Sequence, residues 1–404
     1  MKKTLFKIFR VAAKTSAVIV LVALLAVFAT SVSPVYDFES PKPFSGPDIY
    51  NPYSALDSTV TWKRANFHTH TRVKGPLPPN ECQYWPAETD AAYRRLGYDI
   101  VTFSNHNELT KHPYDSTLQV NVYEHGYNIF KYHKLVFGPD KVDYFDHLLP
   151  LFTFQKQYQI DRLSRNSDFI QINHPLRTLG FPNSQFEDLE GFSIMELDSG
   201  KSTENEYWDS SLSAGHYSFG LANDDLHYPD RSGRIARRSN FLYTNSARYE
   251  DLKKVLLTGA YYSMRTPDYG DGDWDVKYAA NRNLPKVTGI GIKGGDSIYI
   301  ALSTAADSIR FSGQDHRTLA MAKDTTYAVY AMTPDDPYTR ITAYFPGGEV
   351  IYSNPFARYD ASVAASPFRP TTHKVNMLLT ILFNLLVVAL CAGDIYLIYR
   401  VVKL

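Results

Sequence analysis

The sequence predicts an α/β body with a mainly parallel sheet, open or closed as a barrel, followed by a small antiparallel β domain, the two enclosed between membrane-spanning helices. Three observations carry this. Short β-like runs alternate with helix-like stretches across residues 60–268, runs alternating apolar and polar residues fill 269–360, and a long apolar segment stands near each end.

The first apolar segment runs from Ser16 to Val35 without a charge, about the 20 residues a helix needs to cross a bilayer. Lys2, Lys3, Lys7, Arg10 and Lys14 precede it, so the positive-inside rule places the N-terminus in the cytoplasm. Small residues at Ala26, Ala29 and Ser31 leave a cleaved secretory signal as the alternative for residues 1–35. The second segment, Val375 to Tyr399 within 375–404, is followed by Arg400 and Lys403; Asn376, Asn384 and Asp394 are its polar exceptions. On either reading the body lies on the non-cytoplasmic side, periplasmic or extracellular, with the lipid bilayer as a partner.

Residues 36–59, rich in Pro, Ser and Gly, read as a linker that lifts the body off the membrane, and 361–374 as a second linker. Strand candidates in the body are ANFHTH near Phe67, YDIVTFSN from Tyr98, VNVYEH near Val122, HKLVFG from His133, DFIQIN from Asp168, GFSIMEL from Gly191, YSFGLAN from Tyr217 and SNFLYTN from Ser239. Helix patterns from Ala87 to Leu96 and from Tyr249 to Thr258 each stop at a glycine, Gly97 and Gly259. In the β domain, DSIYIALST, DSIRFSG, TTYAVYAM and TRITAYFPGGEVIYSN read as strands, with a hairpin turn at Gly347–Gly348. The acidic loop from Asp268 to Asp275 lacks the rest of a calcium-loop pattern and reads as a solvated turn.

Composition narrows the chemistry. Lys+Arg 42 against Asp+Glu 42 leaves no basic excess, so no nucleic-acid partner is expected. Only Cys82 and Cys391 are present, and Cys391 lies in an apolar run, which excludes a thiolate zinc site and a disulfide between the two. Any metal must be held by His, Asp and Glu.

The histidines fall at strand ends. His68 and His70 close one strand as H-x-H; His106, His174 and His227 follow others, His227 two residues after Asp225; Glu124 ends a strand and His133 begins the next. In parallel α/β sheets the carboxyl ends of strands meet on one face, so residues far apart in sequence converge there. Imidazole and carboxylate together suit zinc, manganese or iron, and one bridging carboxylate can hold two ions.

The order of these motifs resembles the PHP (polymerase and histidinol phosphatase) superfamily. FHTHT is similar to its opening H-x-H motif, FSNHNEL to the motif usually written TDHN, YEHG and YHKLVFG to the Glu motif and the strand-leading His, INHP to the His-before-Pro motif, and NDDLH to the closing SDAH motif. WDSSLSAGHYSFG, LKKVLLTGAYYSM and YTRITAYFPGGEVIYSNP further resemble a carbaryl-hydrolase-like branch carrying an appended β domain. The resemblance implies a distorted (β/α)7 barrel with two or three divalent metal ions, and the ligands His68, His70, His106, Glu124, His133, His174, Asp225 and His227. Two departures stand out. Where the family carries an acidic residue or His just after the first motif, this chain has Lys74, with Glu81 the nearest acid; and Asn105 stands where Asp is common beside the His.

Metal-assisted hydrolysis follows from such a site. The leading expectation is a phosphoesterase acting on a small-molecule or envelope phosphoester, with Arg177 and Lys74 as candidates to hold nonbridging oxygens. Hydrolysis of a carboxyl ester or carbamate is the second reading, and a non-catalytic envelope binding or scaffold protein with a degenerate site the third. His112, His125 and His216 receive no role.

Overall fold

Two long helices, Lys2–Ala29 and Met377–Lys403, frame the chain in the computed structural model, which describes residues 2–57, 61–73, 82–177, 182–198, 203–267 and 272–403. Both are long and apolar enough to cross a membrane, and they pack side by side with leucines such as Leu382 and Leu385 exposed. The first helix stops short of the expected Val35. The hydroxyls of Thr30 and Ser31 bond back to the carbonyls of Ala26 and Val27, and Pro34 cannot continue a helix. Asn384 in the second helix secures this exit, donating to the Ser33 carbonyl at 3.0 Å and accepting its N–H at 3.1 Å.

Each strand run expected in the body forms, mostly shortened. Trp62–Asn66 pairs in parallel with Ile100–Val101, Phe169–Ile172 with Ile194–Glu196, and the latter with Phe219–Leu221. The expected parallel majority fails, because the other ladders are antiparallel. One cause is explicit: residues 126–133 between Val122–His125 and Lys134–Phe137 are too few for a parallel crossover, which takes about a dozen residues or more. The strand Lys134–Phe137 therefore runs backwards between two neighbours.

Among the described residues the strands form an eleven-stranded sheet, a five-stranded sheet and a separate two-stranded pair. The two larger sheets touch at two isolated parallel bridges, His106 with Glu124 and Thr69 with Leu226. No continuous ladder closes a barrel among the described residues. Beside the bridges, Asn107 and Asp225 take left-handed backbone, φ 51° and 50°, which interrupts extended pairing. The core between the sheets is aromatic, with Phe67, Phe137, Phe169, Trp208, Phe219 and Tyr261 buried.

The helices Pro86–Arg95 and Tyr249–Thr258 lie where the glycine stops place them. Gly259 has φ +79°, and a Cβ there would fall 2.3 Å from the Phe219 ring, so the stop is also a packing requirement. The β segment joins the body rather than standing apart from it, since Tyr261–Arg265 pairs with Val350–Ser353. The runs DSIYIALST and DSIRFSG form one strand, Ser297–Gly313, with a register shift against its neighbour between Ala301 and Ala306 in place of a turn. The Gly347–Gly348 turn joins Tyr338–Tyr344 to Val350–Ser353 as a hairpin.

The segment read as a free linker is packed. Phe44 and Tyr53 are buried, Asp48–Tyr50 pairs with Phe356–Tyr359, and Tyr36–Asp37 pairs with Lys374–Val375. Pro and Ser content signalled irregular backbone, but the aromatic residues between them find apolar partners. At the junction with the second helix, His373 lies between two carboxylates, Glu190 at 2.6 Å and Asp161 at 2.9 Å, with Tyr36 edge-on to its ring.

Asp209, on the helix Glu206–Ala214, forms a fully buried pair with Arg340 on the strand Tyr338–Tyr344, Arg340 Nε donating at 2.7 Å. Arg340→Ala leaves that carboxylate buried, and denaturant unfolding should show a loss of about 3–5 kcal/mol. Burial opposes protonation of His373, yet Asp161 and Glu190 raise it to about 9. Its folded pKa lies above the ordinary 6.5, so its stabilisation is full below that pH and disappears as pH rises through about 9. The thermal-midpoint gap between the full chain and His373→Gln should accordingly be wide at pH 6 and close above pH 9.

Candidate metal centre

The strand ends gather on one rim. His68 and His70 follow Trp62–Asn66, His106 follows Ile100–Val101, His174 follows Phe169–Ile172, and Asp225 and His227 follow Phe219–Leu221. Glu124 lies inside Val122–His125. His133 precedes its strand, because that strand is the reversed one and its first residue is on the rim.

Glu124 is the centre of the cluster. Its carboxylate is buried, and Nε2 of His68, His70, His106 and His174 and Nδ1 of His133 lie 2.9–3.2 Å from its oxygens. Asp225 Oδ1 is 3.1 Å from His70 Nε2 and 3.4 Å from His68 Nε2. Among the described residues, two sets of ligand atoms are close enough to hold an ion each: His68, His70, Glu124 and Asp225, and His106, Glu124 and His133. Glu124 belongs to both.

The remaining expected residues are placed as follows. His174 adjoins Glu124 at 3.1 Å without entering either set. His227 is turned outward, its Nδ1 toward the Asp225 carbonyl at 3.0 Å and its ring stacked on that of His70 at 4.3 Å. Arg177 is part-exposed and ion-paired with Asp225. Lys74 and Glu81 lie outside the described residues, as do Asp268–Asp271 of the acidic loop.

The donor set fits a divalent cation. His68 Nε2 and His70 Nε2 face each other at 3.3 Å, close to the spacing of about 3.4 Å expected of two nitrogens sharing a tetrahedral zinc. Electrostatics agree. Burial opposes protonation of His68, yet Glu124, Glu196 and Asp225 hold it well above the ordinary imidazole value, and His70 reaches about 9 by the same competition with Asp225 and Glu124. Burial likewise opposes ionisation of Glu124 and Asp225, but the surrounding imidazoles keep both well below the carboxylate range. At the edges, burial lowers His133 and His227 to about 4, leaving neutral rings with lone pairs to offer. His174 and Asp225 carry left-handed backbone, φ 28° and 50°, a strain that the packing around them must hold.

A supporting layer surrounds these residues, and its main member is absent from the expected set. Glu196 is fully buried at the end of Ile194–Glu196, accepts from His68 Nδ1 at 2.9 Å and takes the His174 N–H at 2.7 Å. The first contact turns the His68 Nε2 lone pair toward the cluster. An acid closing the apolar run GFSIMEL was its only signal in the sequence. Asn173 donates to Glu124 Oε1 at 2.8 Å. Asn105 is a brace: it accepts the Thr71 N–H at 2.6 Å and donates to Thr110 at 2.6 Å. Asp224, beside Asp225, accepts three backbone N–H groups from Ala236 to Arg238 and plays a structural part.

No family model matches the chain, and no curated protein matches it. Among solved structures, it is similar to a two-domain protein containing a predicted PHP-like metal-dependent phosphoesterase from Bacteroides vulgatus ATCC 8482. Identity is 14%, the match covers 79% of this chain and all of that one, and the TM-score is 0.35.

The two sets predict two divalent ions per full-length chain by elemental mass spectrometry. Glu124→Ala, which removes the shared carboxylate, should bring this below one, whereas His133→Ala should keep one. Glu196→Gln should weaken metal binding about 10–100-fold by freeing the His68 ring.

Proposed function

We propose that the chain is a membrane-tethered, metal-dependent phosphoesterase, with its body on the non-cytoplasmic side of the membrane. The observation that carries the reading is the Glu124 carboxylate, common to two ligand sets that can each hold an ion. Such pairs of ions serve in-line displacement at phosphorus; when bound, they supply a nucleophile from water near neutral pH and offset charge on the phosphoryl oxygens. The ordered motifs similar to those of the PHP superfamily favour the same class of reaction.

The chain's own residues supply position and charge. A cavity of about 410 Å³ opens beside the cluster, lined by Asp225, His227, Arg177, Arg234, Arg237 and Arg238. Four arginines line it; Arg238 is ion-paired with Asp198, and the side chains of the others suit a phosphoryl group, which a guanidinium can hold through bidentate hydrogen bonds, better than a neutral ester carbonyl. Arg177, tied to Asp225, is the one best placed to orient a nonbridging oxygen. Lys74 is retained as a second candidate. Hydrolysis joins the water oxygen to phosphorus, breaks the P–O bond to the alcohol, and releases the alcohol with a proton from the water. Apolar helices near both ends, with basic residues at the first helix's start and the second helix's end, support a tether with both termini in the cytoplasm.

The test is turnover by the purified full chain with Mn²⁺ or Zn²⁺ on aryl phosphates and, in parallel, aryl esters. Aryl phosphates should be the better substrates, and His68→Ala and Asp225→Ala should each cut turnover by about a hundredfold or more, at least as much as losing a supporting contact. Preference for aryl esters would select the carboxyl ester or carbamate reading. Less than one ion per chain together with no turnover would select the scaffold.

A further inference from the structure

The end of the first apolar helix is bonded to residues 147–155, which connect to a loop ending on a candidate metal ligand. Immediately past Ala29, Thr30 accepts from the Leu148 N–H at its hydroxyl, 3.3 Å, and pairs through its carbonyl with His147 Nδ1, while Gln155 donates to the Ser31 carbonyl at 3.3 Å. Leu148 in turn accepts the Ile129 N–H at 3.2 Å. Ile129 lies in the 126–133 loop, which ends on the ligand His133.

That loop is stiff. Asp146 Oδ2 accepts the N–H groups of Tyr127 and Asn128 at 2.8 and 3.0 Å, and Asn128 spans the loop to both backbone groups of Tyr132. The second apolar helix arrives at the same place, Phe383 packing edge-on to Phe152 and Phe154 at 6.0 and 5.1 Å.

Direction along the fold agrees. The helix Thr153–Ser164 begins at this exit and leads away from it, and the strand Phe169–Ile172 returns to the rim at His174. Residues 36–42 descend beside that helix to the opposite end of the sheet, where Lys42 N–H meets the Ala214 carbonyl at 2.8 Å. The metal rim and the helix exit are thus at one end of the body. Exposed apolar side chains stand on that surface beside the arginine-lined cavity: Ile129 is 66% exposed, Leu151 53% and Phe152 47%, and Leu176 stands exposed between His174 and Arg177.

We infer that the metal rim faces the bilayer and that the substrate is a phosphoester carried by a membrane lipid. The head group enters the cavity lined by arginines while its chains stay in the bilayer, and Ile129, Leu151 and Phe152 rest in the interface. This rests on the phosphoesterase reading. Water adds to the head-group phosphorus, the P–O bond to the departing alcohol breaks, and the alcohol leaves with the water's proton. A rim held against lipid meets its substrate at the high local concentration of a surface.

The experiment reconstitutes the full chain in phosphatidylcholine vesicles with Mn²⁺ and presents each of two head groups in two forms. Phosphatidic acid and phosphatidylglycerol are offered as long-chain lipids within the vesicles and as dibutyryl analogues in the surrounding water. The long-chain form should be hydrolysed about tenfold faster at equal bulk concentration. Leu151→Asp and Ile129→Asp, made separately, should each bring that ratio to within about twofold of one while aryl phosphate turnover holds. Equal rates for both forms in the unaltered chain would overturn the lipid inference and leave the phosphoesterase standing. An unaltered preference in both variants would overturn the assignment of these residues to the interface. No turnover of any phosphoester by metal-loaded chain would remove the phosphoesterase reading, and the lipid substrate with it.

Discussion

Burying the carboxylate of Glu124 is the constraint around which the body is arranged. An isolated buried charge costs several kcal/mol after relaxation, so it persists only with compensating partners on every side. Here the partners are imidazoles from separate chain segments, at His68, His70, His106, His133 and His174. No local structure brings these together. The sheets must deliver all five to one rim, and the ladders loosen to isolated bridges at the point where the side chains turn inward. Left-handed backbone at His174 and Asp225 is the local cost of that delivery.

The second layer follows from the same constraint. A contact at the outer ring nitrogen fixes which nitrogen turns its lone pair inward, and Glu196 does this for His68. The same carboxylate receives the backbone N–H of His174, so one buried acid fixes a side chain from one strand and the main chain after another. Asn173 and Asn105 add neutral contacts, which support position without adding charge to a crowded site.

The flanking segments are tied into this framework. The exit of the first helix bonds to Leu148, which in turn accepts from Ile129 in the loop that precedes His133, and the return to the second helix is held by His373 between Asp161 and Glu190. The β segment shares a sheet with the body and is locked by Asp209 and Arg340. Regions that composition divides into linker, body and appendage are therefore mechanically continuous.

The sequence by itself determined what depends on neighbours along the chain. Apolar length marked the two terminal helices, Gly97 and Gly259 marked helix ends, and β-branched and aromatic runs marked the strands of the body. The candidate ligands were legible because their position at strand ends is a local pattern. Tertiary structure decided what depends on partners across space. It reversed the strand Lys134–Phe137, whose short preceding loop allows no crossover, and so explains why His133 leads its strand where the other histidines follow theirs. It packed the Pro-rich segment through Phe44 and Tyr53. It also enlisted Glu196, which in sequence is one acid after an apolar run. Its role exists only where the end of its strand meets the rings of two others, and no spacing along the chain encodes that meeting.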